Sequence, residues 1–260
     1  MNRIVCKTVG HVLLIELNRP DKKNAADITM LRELSAAYGE LDRNDHLRVG
    51  VVAAAGDAFT AGLDLADVAP RIQSGRLDFV PDGGCDPWRM GSGPACRKPV
   101  VLAVHGLCLT LGVELLLASD LGVAADNTQF GQIEVSRGIM PFGGATTRLP
   151  KRIGWTAAML WMLGGGRHDA AEAHRLGLVN EVVPVEQLRD RAMELAQLIA
   201  AQAPLAVQAT LANARLAERD GAAAAESALP GELDRLVKTD DARTAVAAFL
   251  SGTPPVFNGR

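Results

Sequence analysis

The sequence predicts an α/β fold: repeated strand–strand–helix units over 1–185, then an all-helical module over 186–260. Three patterns carry this prediction. Short runs rich in β-branched residues recur as far as about residue 183. Apolar residues at helical spacing fill several of the gaps between them. Beyond 186 only the helical pattern remains.

The elements follow in order. Residues 2–8 and 11–17 read as two strands joined at Gly10-His11. Val12, Leu14 and Glu16 face one way and Leu13, Ile15 and Leu17 the other. Asn18-Arg-Pro-Asp-Lys-Lys-Asn-Ala is a turn-rich loop. Asp27 is a candidate N-cap for a helix to about Leu41, with Ile28, Leu31, Leu34, Tyr38 and Leu41 on one face. Val49–Ala54 is a buried strand. Residues 66–97 carry Pro70, Pro81, Pro87, Pro94 and five glycines, so a long irregular loop is expected there, of the kind that is functional or mobile. Next come a strand at 100–105, a helix at 113–118 and a strand at 121–125. A glycine-rich turn at 138–144 opens a helix. Helices at 155–163 and 169–176 and a strand at 178–183 close the mixed part. Helices at 186–202, from Pro204 in a first turn, at 222–238 and at 241–250 complete the chain.

Composition removes several classes of function. The chain has 260 residues, 48% apolar and 22% charged, enough to bury a large core. Net charge is −3 with basic residues scattered, and there are one Tyr, three Trp and six Phe, so no nucleic-acid surface is expected. Cys6, Cys85, Cys96 and Cys108 lack CxxC spacing and read as free thiols. The five histidines show no HExxH or other ligand spacing, so no metal is expected. Met1-Asn-Arg-Ile-Val-Cys lacks the apolar core of a signal peptide, and with free thiols this points to a cytoplasmic protein. The apolar run at 99–125 is long enough to suggest a membrane span, but Glu114 and Asp120 oppose insertion, by roughly 2.5–3.5 kcal/mol each near a helix centre. Strand, turn, buried helix and strand fit it better, and no membrane is expected.

Glu114 is the informative residue in that run. Apolar neighbours on both sides predict burial, and an unpaired buried carboxylate costs roughly several kcal/mol. Such a group has a partner or uses its altered proton affinity. The turn before it within its own run and three other segments belong beside it. Gly56-Asp-Ala-Phe-Thr-Ala61-Gly62-Leu63-Asp64-Leu65 follows a strand and is rich in small residues, which let backbone approach a ligand. Taken alone it is a tight turn. His105-Gly106 to Leu111-Gly112 leads into a helix whose first N–H groups have no partner within the helix. Phe130-Gly-Gln-Ile-Glu134 offers a second carboxylate, although spacing alone leaves Glu134 a solvent-facing loop residue. The turn Gly138-Ile-Met-Pro-Phe-Gly143-Gly144 reads as a structural elbow.

At these segments the chain resembles the crotonase family, the enoyl-CoA hydratase/isomerase superfamily. Asn18-Arg-Pro, Phe59-Thr-Ala-Gly-Leu-Asp-Leu, Val104-His-Gly, Phe130-Gly-Gln-Ile-Glu, Pro141-Phe-Gly-Gly and Ala173-His-Arg-Leu-Gly-Leu-Val-Asn-Glu-Val-Val-Pro184 carry the resemblance in order through most of the chain. It implies a crotonase-like spiral of ββα units and an acyl-CoA thioester substrate with no separate cofactor. It implies an oxyanion hole from the N–H groups of Ala61 and Leu111. Glu114 would orient and deprotonate a water attacking C3 of a 2-enoyl-CoA, and Glu134 would supply the proton to C2. Ala25, Ala61, Gly62, Leu63, Asp64, Leu65, Leu111 and Trp88 would contact substrate. The helical module would form a lid and hold the protein as a homotrimer or dimer of trimers. An enoyl-CoA isomerase, another acyl-CoA lyase, or a non-catalytic CoA-fold binding protein are the other readings. Three features depart from the family pattern. Leu111 stands where a glycine run is usual, the C-terminal Thr253-Pro-Pro-Val-Phe257 lacks a preceding basic pair, and the 66–97 segment looks long.

Overall fold

A computed structural model describes residues 2–75 and 77–260. In chain order its elements are β1 (Ile4–Val9), β2 (Val12–Leu17), α1 (Ile28–Arg43), β3 (Val49–Ala54), α2 (Leu65–Gln73), β4 (Val100–Val104), β5 (Leu107–Leu109), α3 (Leu111–Ala118), β6 (Leu121–Ala125) and β7 (Gln129–Gly131). Then follow α4 (Ala145–Ile153), α5 (Trp155–Gly164), β8 (His168–Asp169), α6 (Ala170–Arg175), β9 (Glu181–Val183), α7 (Leu188–Ala200), α8 (Pro204–Asp220), α9 (Ala222–Leu236) and α10 (Asp240–Ser251). The order is an α/β part followed by C-terminal helices, as the sequence predicts.

A six-stranded sheet runs β1-β2-β3-β4-β6-β9, with β1–β2 antiparallel and the other pairs parallel. Its central strands are apolar on both faces, as parallel strands covered on two sides must be. Alternation along each strand sorts the side chains. Leu13, Ile15, Val52, Leu102 and Val104 join the main core with α1. Val12, Leu14, Val49, Val51, Val101, Ala103 and Val123 face the other way, where Leu188, Ala192, Ala196 and Ala200 of α7 cover them. Fully burying a Val or Leu side chain contributes about 1.5–3 kcal/mol. The apolar face of α7 is therefore spent within the chain. The expected division at 185/186 runs between the sheet and the helix that closes it, and only α8, α9 and α10 lie beyond that layer.

The repeat is a unit of two strands and a helix. In β4-β5-α3 and β6-β7-α4 the first strand enters the large sheet and the second enters a small one, ordered β5-β7-β8. The second strands have three residues each, which hid them in the sequence. An isolated parallel bridge between Thr60 and Cys108 adds the segment after β3 to the same small ladder. Three turns of chain thus end side by side, just before Leu63, Leu111 and Glu134.

The 66–97 segment differs from expectation. It contains most of α2, masked in the sequence by Pro70. Val68 is buried, and Asp67 accepts a 2.8 Å bond from the Ile28 N–H at the start of α1. Asp27 caps the same helix through the Met30 N–H, as its position predicted. Phe79, Cys85, Trp88 and Cys96 anchor the rest of the segment in the core. All four cysteines are unpaired. Among the described residues no single helix is long and apolar enough to cross a membrane.

Candidate active site

The three chain turns open onto one cavity of about 750 Å³. Arg19 and Asn24 hold its first wall. The Arg19 guanidinium pairs with Asp64 at 2.7 Å and donates to the Ala25 carbonyl. Asn24 is fully buried and donates to the carbonyls of Ala55 and Ala58. These contacts fix the segment that carries Ala61 and Leu63.

The backbone donors differ from the expected pair. The Ala61 N–H donates to the Lys23 carbonyl at 2.9 Å, so it is not free to bind an oxygen in the cavity. Leu63 sits in a parallel bridge with Ala26, in which Ala26 donates to Gly62 O and Asp64 donates to Ala26 O. In that geometry the N–H of Leu63 itself turns the opposite way. It has no acceptor among the described residues, and Leu63 lines the cavity. Leu111 opens α3, where its N–H has no intrahelical partner. Thr110 before it is held at φ 48. Gly62 does not line the cavity. A Cβ on it would overlap the Thr110 hydroxyl, so its small size lets the two donor segments meet.

Glu114 and Glu134 both line the cavity and both are buried, at 3% and 5% exposure. Burial overturns the solvent-facing reading of Glu134, which lies in the 3-10 turn Glu134–Arg137 after β7. The Gln132 side-chain amide lies 2.6 and 2.7 Å from the two Glu134 oxygens; its nitrogen would donate to an ionised carboxylate, and its oxygen would accept from a protonated one. Glu114 lies in the first turn of α3, and its Oε1 accepts from the N–H groups of Gly143 at 2.7 Å and Ala145 at 3.2 Å. The 138–144 turn is thus more than an elbow. It delivers the N-terminal end of α4 to Glu114, and a Cβ at Gly143 would lie 2.8 Å from Glu114 Cδ. The glycine pair with a helix behind it was the available signal in the sequence.

Burial raises the proton affinity of both carboxyls. For Glu114 burial is opposed by the two N–H bonds and the Arg148 charge. For Glu134 burial, reinforced by the Glu114 charge, pushes the carboxyl up from 4.5 to about 7, against a bond from its own backbone N–H. The folded-state value lies above the unfolded one. Protonated Glu134 therefore favours the fold below pH 4.5, and this contribution is lost as the pH rises through about 7. Glu134→Gln removes that dependence. The stability of wild type relative to the variant is expected to fall by on the order of 2 kcal/mol across this window. Urea unfolding at both ends of the window measures it, and a constant difference contradicts the burial argument.

The remaining lining separates by chemistry. Lys22 and Arg137 are exposed cations at the cavity. Asp64 lines it with its carboxylate held low by the hydrogen bond from Arg19, so that charge is already paired. Ala25 and Leu65 line the cavity as expected, and so does Trp88. Trp88 is also buried. Its Nε1 donates to the Leu111 carbonyl at 3.0 Å, and its ring meets Phe79 edge-on at 5.7 Å. The fully buried Asp86 accepts from the N–H groups of Trp88, Met90 and Ser92. Arg148 of α4 donates to the carbonyls of Trp88 and Arg89. Tyr38 is buried in α1 and does not reach the cavity.

The family described as enoyl-CoA hydratase/isomerase matches residues 7–260. An enoyl-CoA hydratase, EchA19, of Mycobacterium tuberculosis is 33% identical over 254 residues, covering 96% of this chain and 94% of its own. The 2,3-dehydroadipyl-CoA hydratase of Escherichia coli is 31% identical over the full length of both chains. The crystal structure of a probable enoyl-CoA hydratase/isomerase from Mycobacterium abscessus superposes with a TM-score of 0.97 at 51% identity, covering 99% of each chain. With its fold, its paired buried carboxylates and a full-length match, the chain belongs to the enoyl-CoA hydratase/isomerase family of acyl-CoA enzymes, the crotonase superfamily.

Proposed function

We propose that the protein adds water across the C2=C3 bond of a 2-enoyl-CoA to give a 3-hydroxyacyl-CoA. One observation carries this reading: two buried carboxylates share an apolar cavity with two backbone N–H groups that have no other acceptor among the described residues. The N–H groups of Leu63 and Leu111, rather than Ala61 and Leu111, would hold the thioester oxygen. Charge that gathers there as C3 is attacked would meet preorganised donors and the N-terminal end of α3, and one such donor is worth roughly 2.7–4 kcal/mol.

The hydrogen bonds support a division of labour between the acids. Two N–H groups on one Glu114 oxygen favour its ionised form, so it would accept a proton from the attacking water. Glu134, raised to about 7, keeps a proton near neutral pH and would give it to C2. The water oxygen bonds to C3, the π pair passes to C2 through the enolate, and the two proton transfers balance. Lys22 and Arg137 would meet the coenzyme's phosphates.

Hydration of a panel of 2-enoyl-CoA thioesters, with a 3-enoyl-CoA as counter-substrate, tests the reaction. Turnover of the 3-enoyl substrate alone would make it an isomerase, and no turnover of any would leave a binding protein. The module beyond α7 exposes Leu233, Phe249 and Leu250 at 62%, 86% and 79%. Large apolar side chains exposed in this way mark association surfaces when they gather into a patch, and the reading includes a trimer built on these helices. Size-exclusion chromatography with light scattering is expected to give three copies or six, and a monomer contradicts it.

A further inference from the structure

Three side chains border two cavities at once. Leu31, Trp88 and Leu111 line the 750 Å³ substrate cavity and also a second void of about 10 Å³ inside the core. Leu17, Met30, Leu34, Phe59 and Leu115 are among its other walls, all buried. Asn24 and Thr60 also touch it, but their polar groups are already spent on the carbonyls of Ala55 and Ala58 and of Asn24. A void of this size sits at the lower limit for a single water and is otherwise apolar.

We infer that Leu31 and Trp88 form the end wall of the acyl pocket and restrict the enzyme to short acyl chains. The wall stands close to the chemistry. Trp88 is bonded to the Leu111 carbonyl, and Leu111 precedes Glu114 by less than one helical turn, about 5 Å of rise. On this inference a chain running from C3 toward Trp88 meets the wall after a few carbons. The wall is also fixed. Its indole N–H is bonded to Leu111, its ring packs on Phe79, and Asp86 and Arg148 hold its backbone from both sides. Behind it lies unfilled apolar space, so shortening either wall residue joins the two cavities and deepens the pocket.

The placement of C3 rests on the proposed hydratase reading, but the test does not require turnover. Titration calorimetry with saturated acyl-CoA thioesters from butyryl-CoA to decanoyl-CoA reads pocket depth directly. The wild-type protein is expected to bind butyryl-CoA more tightly than decanoyl-CoA. In Trp88→Ala and in Leu31→Ala the ratio of decanoyl to butyryl affinity is expected to rise roughly tenfold, since one extra methylene in a fitted apolar pocket already discriminates to that extent. A wild-type protein that holds decanoyl-CoA as tightly as butyryl-CoA overturns the inference without any variant. So does a rise below about threefold in both variants. Circular dichroism confirms that each variant folds, and Leu31→Ala decides alone if Trp88→Ala does not. A shifted ratio in a protein that hydrates no 2-enoyl-CoA would leave the wall in place and remove the proposed reaction.

Discussion

Replacing either carboxylate with its amide, Glu114→Gln or Glu134→Gln, is expected to lower kcat for hydration by about 10²–10⁴-fold. Affinity for a saturated acyl-CoA should change little. Glutamine keeps the size of each side chain, and at position 114 its amide oxygen can still accept from Gly143 and Ala145. What it removes is the ability to take or give a proton. The two losses should not add in the double variant, because each acid is idle once the other is gone. The pH dependence separates the roles. In the wild type kcat/KM is expected to fall as the pH rises past about 7, where Glu134 loses the proton owed to C2. That limb should be missing from the residual activity of Glu134→Gln. Wild-type turnover in either single variant would remove that residue from the chemistry. An unchanged alkaline limb in Glu134→Gln would move the titrating group elsewhere.

Gly143→Ala is expected to lower kcat by about 10²-fold through a single methyl group, the scale of loss that a misplacement of about 1 Å produces. Gly143 does not need a positive φ, so alanine suits its backbone. The added Cβ would press on the Glu114 carboxylate and push it from the position that Gly143 and Ala145 define. Gly143 borders the cavity beside Glu114, but the Leu63 and Leu111 donors and the Leu31–Trp88 wall are untouched, so KM should change far less than kcat. Gly164→Ala, whose added carbon meets only Leu160 at 3.8 Å, is the matched control and should be silent. Equal kcat for Gly143→Ala and wild type would show that Glu114 needs no exact placement.

Much of the large sheet can be read from the sequence, because its strands are continuous apolar runs buried on two faces. Val49–Ala54 and Val100–Val104 can only be core, and Val12 to Leu17 announces the alternation that splits between α1 and α7. The small ladder cannot be read this way. Strands of three residues at Leu107–Leu109 and Gln129–Gly131 are shorter than any periodicity window, and the Thr60 bridge has no local pattern at all. Pro70 conceals α2 for a related reason, since it argues against a helix that neighbouring packing nevertheless forms.

By itself the sequence determined the α/β layering, the burial of Glu114, and the motifs that mark an acyl-CoA enzyme. These follow from composition over windows and from side chains whose cost of burial is large. Tertiary structure alone decided which groups meet. It turned Glu134 inward, gave the Ala61 N–H to Lys23, left that of Leu63 without an acceptor among the described residues, and brought Gly143 to Glu114 across 29 residues. The physical reason is that a backbone N–H has no side-chain signature. Its direction depends on which segment it pairs with, and for Ala61 and Leu63 the partners are Lys23 and Ala26, which only the folded chain brings alongside.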